Sequence, residues 1–112
     1  MMEVIEQTAG PVTILEPRGR IDSVTAKDFG ERLAKLLNAG REHIVIDLHS
    51  ITYISSAGFR QLLIAKKTTQ EKNGKLALCG IAGEVKRLFE IGAFTELLPV
   101  YLTREDGIAS VQ

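Results

Sequence analysis

Residues 43–64 read HIVIDLHSITYISSAGFRQLLI, and the fold turns on how this stretch divides. His43-Ile44-Val45-Ile46-Asp47-Leu48 is almost continuously apolar, which suits a central strand covered on both faces. From Phe59 the spacing changes: Phe59, Leu62, Leu63 and Ile64 follow a helical period. Between them stands Ser55-Ser56-Ala57-Gly58. Either serine can cap the helix, a contribution of about 1 kcal/mol. The same position also suits a hydroxyl presented for chemistry, because functional loops of open α/β sheets gather at the carboxyl ends of strands. A helix start offers free amides and a positive dipole end, both favourable to phosphate. Local pattern leaves both readings open, and they are compatible.

The flanking sequence repeats the strand-then-helix alternation. Val4-Ile5 opens a short apolar segment that ends at Ala9-Gly10-Pro11, and Val12-Thr13-Ile14-Leu15 follows, so a hairpin is expected. Pro17 fits an edge or a strand end. Ala26, Phe29, Leu33, Leu36 and Leu37 take helical spacing, with Asp22, Ser23 or Thr25 available as a cap and Gly40 as a stop. The helix after Ser55-Ser56 should stop at Asn73-Gly74. Leu76-Ala77-Leu78-Cys79 reads as a buried strand, and Val85, Leu88 and Phe89 as one helix face. Leu98 to Leu102 reads as a last strand, and Thr103-Arg104-Glu105-Asp106 as the start of a short final helix. A hairpin followed by alternating helices and strands predicts a small α/β domain with a mixed, mostly parallel β-sheet and about four helices.

At 112 residues the chain is read as one domain, residues 1–112, large enough for a real core. Fourteen basic and fourteen acidic residues cancel, so the balance points to neither nucleic acid nor an anionic membrane surface. The single cysteine, Cys79, excludes an internal disulfide and favours a reducing compartment. MMEVIEQ has acidic residues where a signal peptide needs basic ones, and no apolar run approaches the roughly 18 residues of a membrane span. A cytoplasmic protein is expected.

Enzymatic constellations are weak. Ser56 with His49 would suggest a small serine hydrolase, but there is no G-x-S-x-G elbow, and no acidic residue is placed by the sequence to orient the histidine. His43 and His49 flank a strand and read as surface residues. Asp47 ends a central strand as a phosphoacceptor aspartate would, yet the acidic partners that hold magnesium in such domains are missing, and it reads as a loop or cap residue. Cys79 lies in an apolar strand, where an inert thiol is usual. No metal-ligand spacing and no phosphate-binding glycine loop occurs, so neither a metal nor another cofactor is expected.

Three segments give the chain a family resemblance. They are Gly19-Arg20-Ile21-Asp22, read as a turn before the first helix, Asp47 to Gly58 (DLHSITYISSAG), and Val85-Lys86-Arg87-Leu88-Phe89-Glu90. Their order and spacing resemble the STAS-domain family, and within it the bacterial anti-sigma factor antagonists, over nearly the whole chain. The resemblance implies a protein-binding module rather than an enzyme. Ser56 matches the serine that an anti-sigma factor serine kinase phosphorylates. Unphosphorylated antagonist binds that kinase and frees a sigma factor, and phosphorylation breaks the complex. A serine/threonine phosphatase of the metal-dependent type reverses the modification. Ser55 stands where many antagonists have aspartate, and Ala57 where they often have a second hydroxyl, which leaves Ser56 as the acceptor. The partner surface implied is Asp22, Ser23, Thr52, Ser55, Ser56, Ala57, Gly58 and Arg60, with Gly58 kept small for close approach. A monomer or weak homodimer is expected. A non-phosphorylated STAS scaffold subunit of a transporter or signalling assembly is the alternative.

Overall fold

The computed structural model describes residues 2–112. The hairpin forms as expected: β1 (Val4–Ala9) pairs antiparallel with β2 (Val12–Pro17), and Gly10 turns the chain at φ +59°. Pro17 sits at the end of β2, beyond the residues that pair with the next strand. The strands β4 (His43–Asp47), β6 (Lys75–Cys79) and β7 (Val100–Tyr101) then add in parallel, giving the order β1-β2-β4-β6-β7. Strands β2 and β4 are covered on both sides, which is why their apolar residues run without alternation.

The helices divide unequally between the two faces. α1 (Thr25–Asn38), α2 (Ser56–Glu71) and α3 (Gly83–Ile91) bury Phe29, Leu33, Phe59, Leu62, Val85 and Phe89 against Leu15, Ile44, Ile46 and Leu78. On the other face, α4 (Arg104–Val111) alone covers Val12, Ile14, Val45, Ala77 and Cys79 through Val111 and Ile108. The four helices and the mostly parallel sheet agree with the sequence reading.

One part of the fold departs from it. Gly19–Ile21 is a strand, β3, and Ile51–Ile54 is another, β5; they pair in parallel as a separate two-stranded sheet. The helix carrying Ser56 therefore follows β5, not β4. Both strands are short, and Arg20 and Thr52 point to solvent, so neither leaves an apolar run.

The helix ends follow backbone chemistry. After α1, Gly40 takes φ +86° while Arg41 N–H reaches back to the Leu36 carbonyl at 3.0 Å. After α2 the left-handed residue is Asn73, at φ +59°. After α3 it is Ala93, at φ +56°, rather than the neighbouring glycine. A Cβ on Gly92 would lie 2.3 Å from the Phe94 ring, so the glycine gives that ring room. Phe94 stacks on Phe59 with ring centroids 3.9 Å apart, closing the base of α2.

Candidate functional site

The chain brings Ser56 to the surface by a short series of backbone constraints. Ile21 of β3 pairs with Ile54 of β5, and Ser55 N–H donates to the Ile21 carbonyl at 2.8 Å. This fixes the first turn of α2 beside the first turn of α1. Ser55 is the N-cap: its backbone is extended and its Oγ accepts from Gly58 N–H at 3.3 Å. Ser56 is the first residue of the helix and is exposed. The two readings of the serine pair are thus divided between its members, with Ser55 capping and Ser56 presented.

The other expected contact residues divide in the same way. Ser23, Thr52 and Arg60 are exposed, and Ala57 is half-buried beside Ser23 in a shallow depression between α1 and α2. Asp22 is committed to the start of α1. Its Oδ1 accepts from Val24 and Thr25 N–H, both at 3.0 Å. Those bonds, led by the Thr25 amide, hold its carboxyl below the ordinary value. Arg20, beside this turn, lies 4.3 Å over the Tyr53 ring.

Gly58 requires a correction. It is buried, and a Cβ there would stand 2.7 Å from both Ile21 Cγ2 and Ile54 Cγ1. Its missing side chain lets α2 pack on β3 and β5. It does not keep space for a partner, because its Cβ position faces inward.

A second polar cluster lies at the carboxyl ends of β2 and β4, on the α4 side. Asp47 is not the loop or cap residue the sequence suggested: it closes β4 and is buried. Its Oδ1 accepts from the His49 backbone N–H at 3.0 Å and contacts His49 Nδ1 at 2.8 Å. Its Oδ2 accepts from Arg104 Nε at 2.9 Å. Arg104 also donates to Glu16 Oε1 at 2.9 Å and to Gln7 Oε1 at 2.7 Å, and Ser50 Oγ donates to Glu16 Oε2 at 2.8 Å. Burial alone would raise the Asp47 carboxyl, but the bonds from His49 and Arg104 outweigh it and hold it below the ordinary value. The Ser50 hydroxyl does most to hold Glu16 low, helped by His49, Arg104 and Arg18. Burial, with Asp47 nearby, pushes the Cys79 thiol up to about 12, so it is inert at neutral pH.

An acidic residue is therefore placed to orient His49 after all, two positions before it in sequence. The serines, however, are committed elsewhere or stand apart from it. Ser50 bonds to Glu16, Ser55 caps α2, and among the described residues no serine hydroxyl bonds to His49. Glu16, Asp47 and His49 lie close enough to hold a cation, with ligand atoms within 4.8 Å of one another. The Arg104 guanidinium already pairs with one oxygen of each carboxylate, Asp47 Oδ2 and Glu16 Oε1, and meets much of their charge. The cluster is better described as a clamp that fastens α4 to β1, β2 and β4. No helix among the described residues is long and apolar enough to cross a membrane.

This geometry can be set beside known proteins. BtrV of Bordetella bronchiseptica, which bears the name of an anti-sigma factor antagonist, is 34% identical over 93 residues, covering 83% of this chain and 80% of that one. The anti-sigma F factor antagonist of Paenibacillus polymyxa is 30% identical over 102 residues, covering 90% of this chain and 87% of its own length. Among solved structures, an anti-sigma factor antagonist from Mycobacterium paratuberculosis superposes with a TM-score of 0.82 at 22% identity, covering 99% of this chain and 94% of that one. The Bacillus cell fate determinant SpoIIAA in its phosphorylated form gives 0.72 at 13% identity over the whole of both chains. At such identities the solved structures establish the shared fold. The STAS domain model matches residues 3–107, nearly the whole chain, and with the fold and the two relatives above it the protein belongs to the STAS domain family.

Proposed function

We propose that this protein is an anti-sigma factor antagonist whose binding is switched by phosphorylation of Ser56. The carrying observation is the division of labour between the serines: Ser55 Oγ is committed to the cap, whereas Ser56 is exposed at the first position of α2. The names of the relatives support the same reading. Unphosphorylated, the chain binds an anti-sigma factor serine kinase through Ser23, Thr52, Ser56, Ala57 and Arg60, and the kinase lets go of its sigma factor. Asp22 and Ser55 shape that surface as caps, and Gly58 supports it from beneath. In the phosphorylation step Ser56 Oγ loses its proton and forms a bond to the γ-phosphorus of ATP, and ADP leaves. A metal-dependent serine/threonine phosphatase returns the hydroxyl by hydrolysis. The chain is then a substrate and a binding surface rather than a catalyst, and it works in the cytoplasm, where sigma factors act.

The test is treatment with the anti-sigma factor serine kinase of the same organism and ATP, followed by intact mass and peptide fragmentation. One phosphate on Ser56, absent from Ser56→Ala, is the expected result. A phosphate on Ser55, or none, would overturn the assignment.

A further inference from the structure

The first two turns of α2, Ser56-Ala57-Gly58-Phe59-Arg60-Gln61-Leu62, contain one charge, that of Arg60. Arg60 is exposed, and among the described residues it takes part in no ion pair or side-chain hydrogen bond. On the facing helix α1, Lys27 and Glu31 line the depression beside Ala57 and, among the described residues, take part in no ion pair, while two other charges at this end are engaged. Asp22 is held by the amides of Val24 and Thr25, and Arg20 lies over Tyr53. The next acidic residue along α2 is Glu71, in its last turn. Residues four apart on a helix are neighbours, with Cβ atoms roughly 5–6 Å apart. Helical Cα–Cβ bonds also tilt toward the N-terminus, which directs the stem of Arg60 toward the turn that carries Ser56.

From this placement we infer that a phosphate on Ser56 is captured by Arg60 within the same molecule. This rests on Ser56 being the modified residue, as proposed above. An arginine fork meets phosphate oxygens with two charge-assisted hydrogen bonds, and among the described residues no carboxylate is bonded to Arg60. The consequence is a two-part switch. The modification adds negative charge, and it also withdraws the one cation of the first two turns of α2 from the surface a partner would meet.

The test needs no kinase. Phosphoserine is incorporated at position 56 during translation of the full chain, and its second ionisation, ordinarily near pH 6, is followed by phosphorus NMR. The expected result is a midpoint about 0.5 units lower than in Arg60→Gln, with Arg60→Lys in between. The difference should collapse at ~1 M salt, where the screening length is about 3 Å. Equal midpoints for the parent and Arg60→Gln would overturn the inference, as would a shift that follows Arg20→Gln or Lys27→Gln instead. A kinase assay that failed to modify Ser56 would count against the proposed function and leave the titration result standing, so the two failures are distinguishable.

Discussion

Replacing Arg104 by methionine should unfasten α4 and expose how the buried cluster is balanced. Arg104 makes three side-chain bonds, to Asp47 at 2.9 Å, Glu16 at 2.9 Å and Gln7 at 2.7 Å. Its carboxylate partners are only 5% and 7% exposed. Methionine retains much of the aliphatic stem but leaves two like charges in a dry site, and removing one partner of a buried ion pair costs about 3–5 kcal/mol. Ser50, His49 and Arg18 still serve the carboxylates, and Arg104 itself is 27% exposed, so the low end applies. A loss of about 3 kcal/mol at pH 7 corresponds to a fall in Tm of roughly 12 °C for a domain of this size.

The pH dependence provides the sharper half of the test. Asp47 and Glu16 both have lowered values in the folded protein, from ordinary ones of 3.8 and 4.5. Their stabilising contribution is present above the ordinary values and is lost as pH falls through the lowered ones. In Arg104→Met the two carboxylates share the site without their cation, one of them is raised, and its protonation relieves the variant. The gap between parent and variant should therefore narrow as pH falls toward 4. Urea unfolding followed by circular dichroism at pH 7 and pH 4 measures both quantities. A loss under ~1 kcal/mol at pH 7, or a gap that does not change with pH, would refute the assignment of the cluster as a clamp.

Two further outcomes follow from the packing. Gly58→Leu should lose about 3 kcal/mol in thermal or urea unfolding, because the new side chain drives into Ile21 and Ile54; an unchanged Tm would restore Gly58 to the partner surface. Ala93→Gly should gain about 1 kcal/mol by relieving the left-handed residue after α3, and a loss of stability would show that the Ala93 methyl does more than strain the turn.

Elements with a long apolar period were legible in the sequence. Val12 to Leu15, Ile44 to Ile46 and Leu76 to Cys79 are buried strands, and the stops at Gly40 and Asn73 fall where the chain turns left-handed. The three-residue strand β3 left no pattern, since its middle residue, Arg20, faces solvent. Local pattern alone did not separate Ser56 from Ser55; the family resemblance singled out Ser56, and the cap bond shows that Ser55 is the committed one. Gly58 was visible as a small residue, but whether its bare face turned inward or outward depended on Ile21, from a distant strand. The cluster joins residues 57 and 88 positions apart, and its one local trace was the Asp47-Leu48-His49 spacing at a strand end. The left-handed Ala93 could not be read beside a glycine that is the usual occupant of such a turn.

The central claim is that phosphate on Ser56 turns binding off, and titration calorimetry of the anti-sigma factor kinase against both forms of the chain tests it most directly. Phosphorylation brings a dianion against a kinase site that itself holds nucleotide phosphate, and like charges at a desolvated interface cost several kcal/mol. Each ~1.4 kcal/mol is tenfold in affinity, so the phosphorylated chain should bind at least about 100-fold more weakly than the unmodified one. Ser56→Ala should bind like the unmodified chain whether or not ATP has been supplied. Equal affinity for the phosphorylated and unphosphorylated forms would contradict the account.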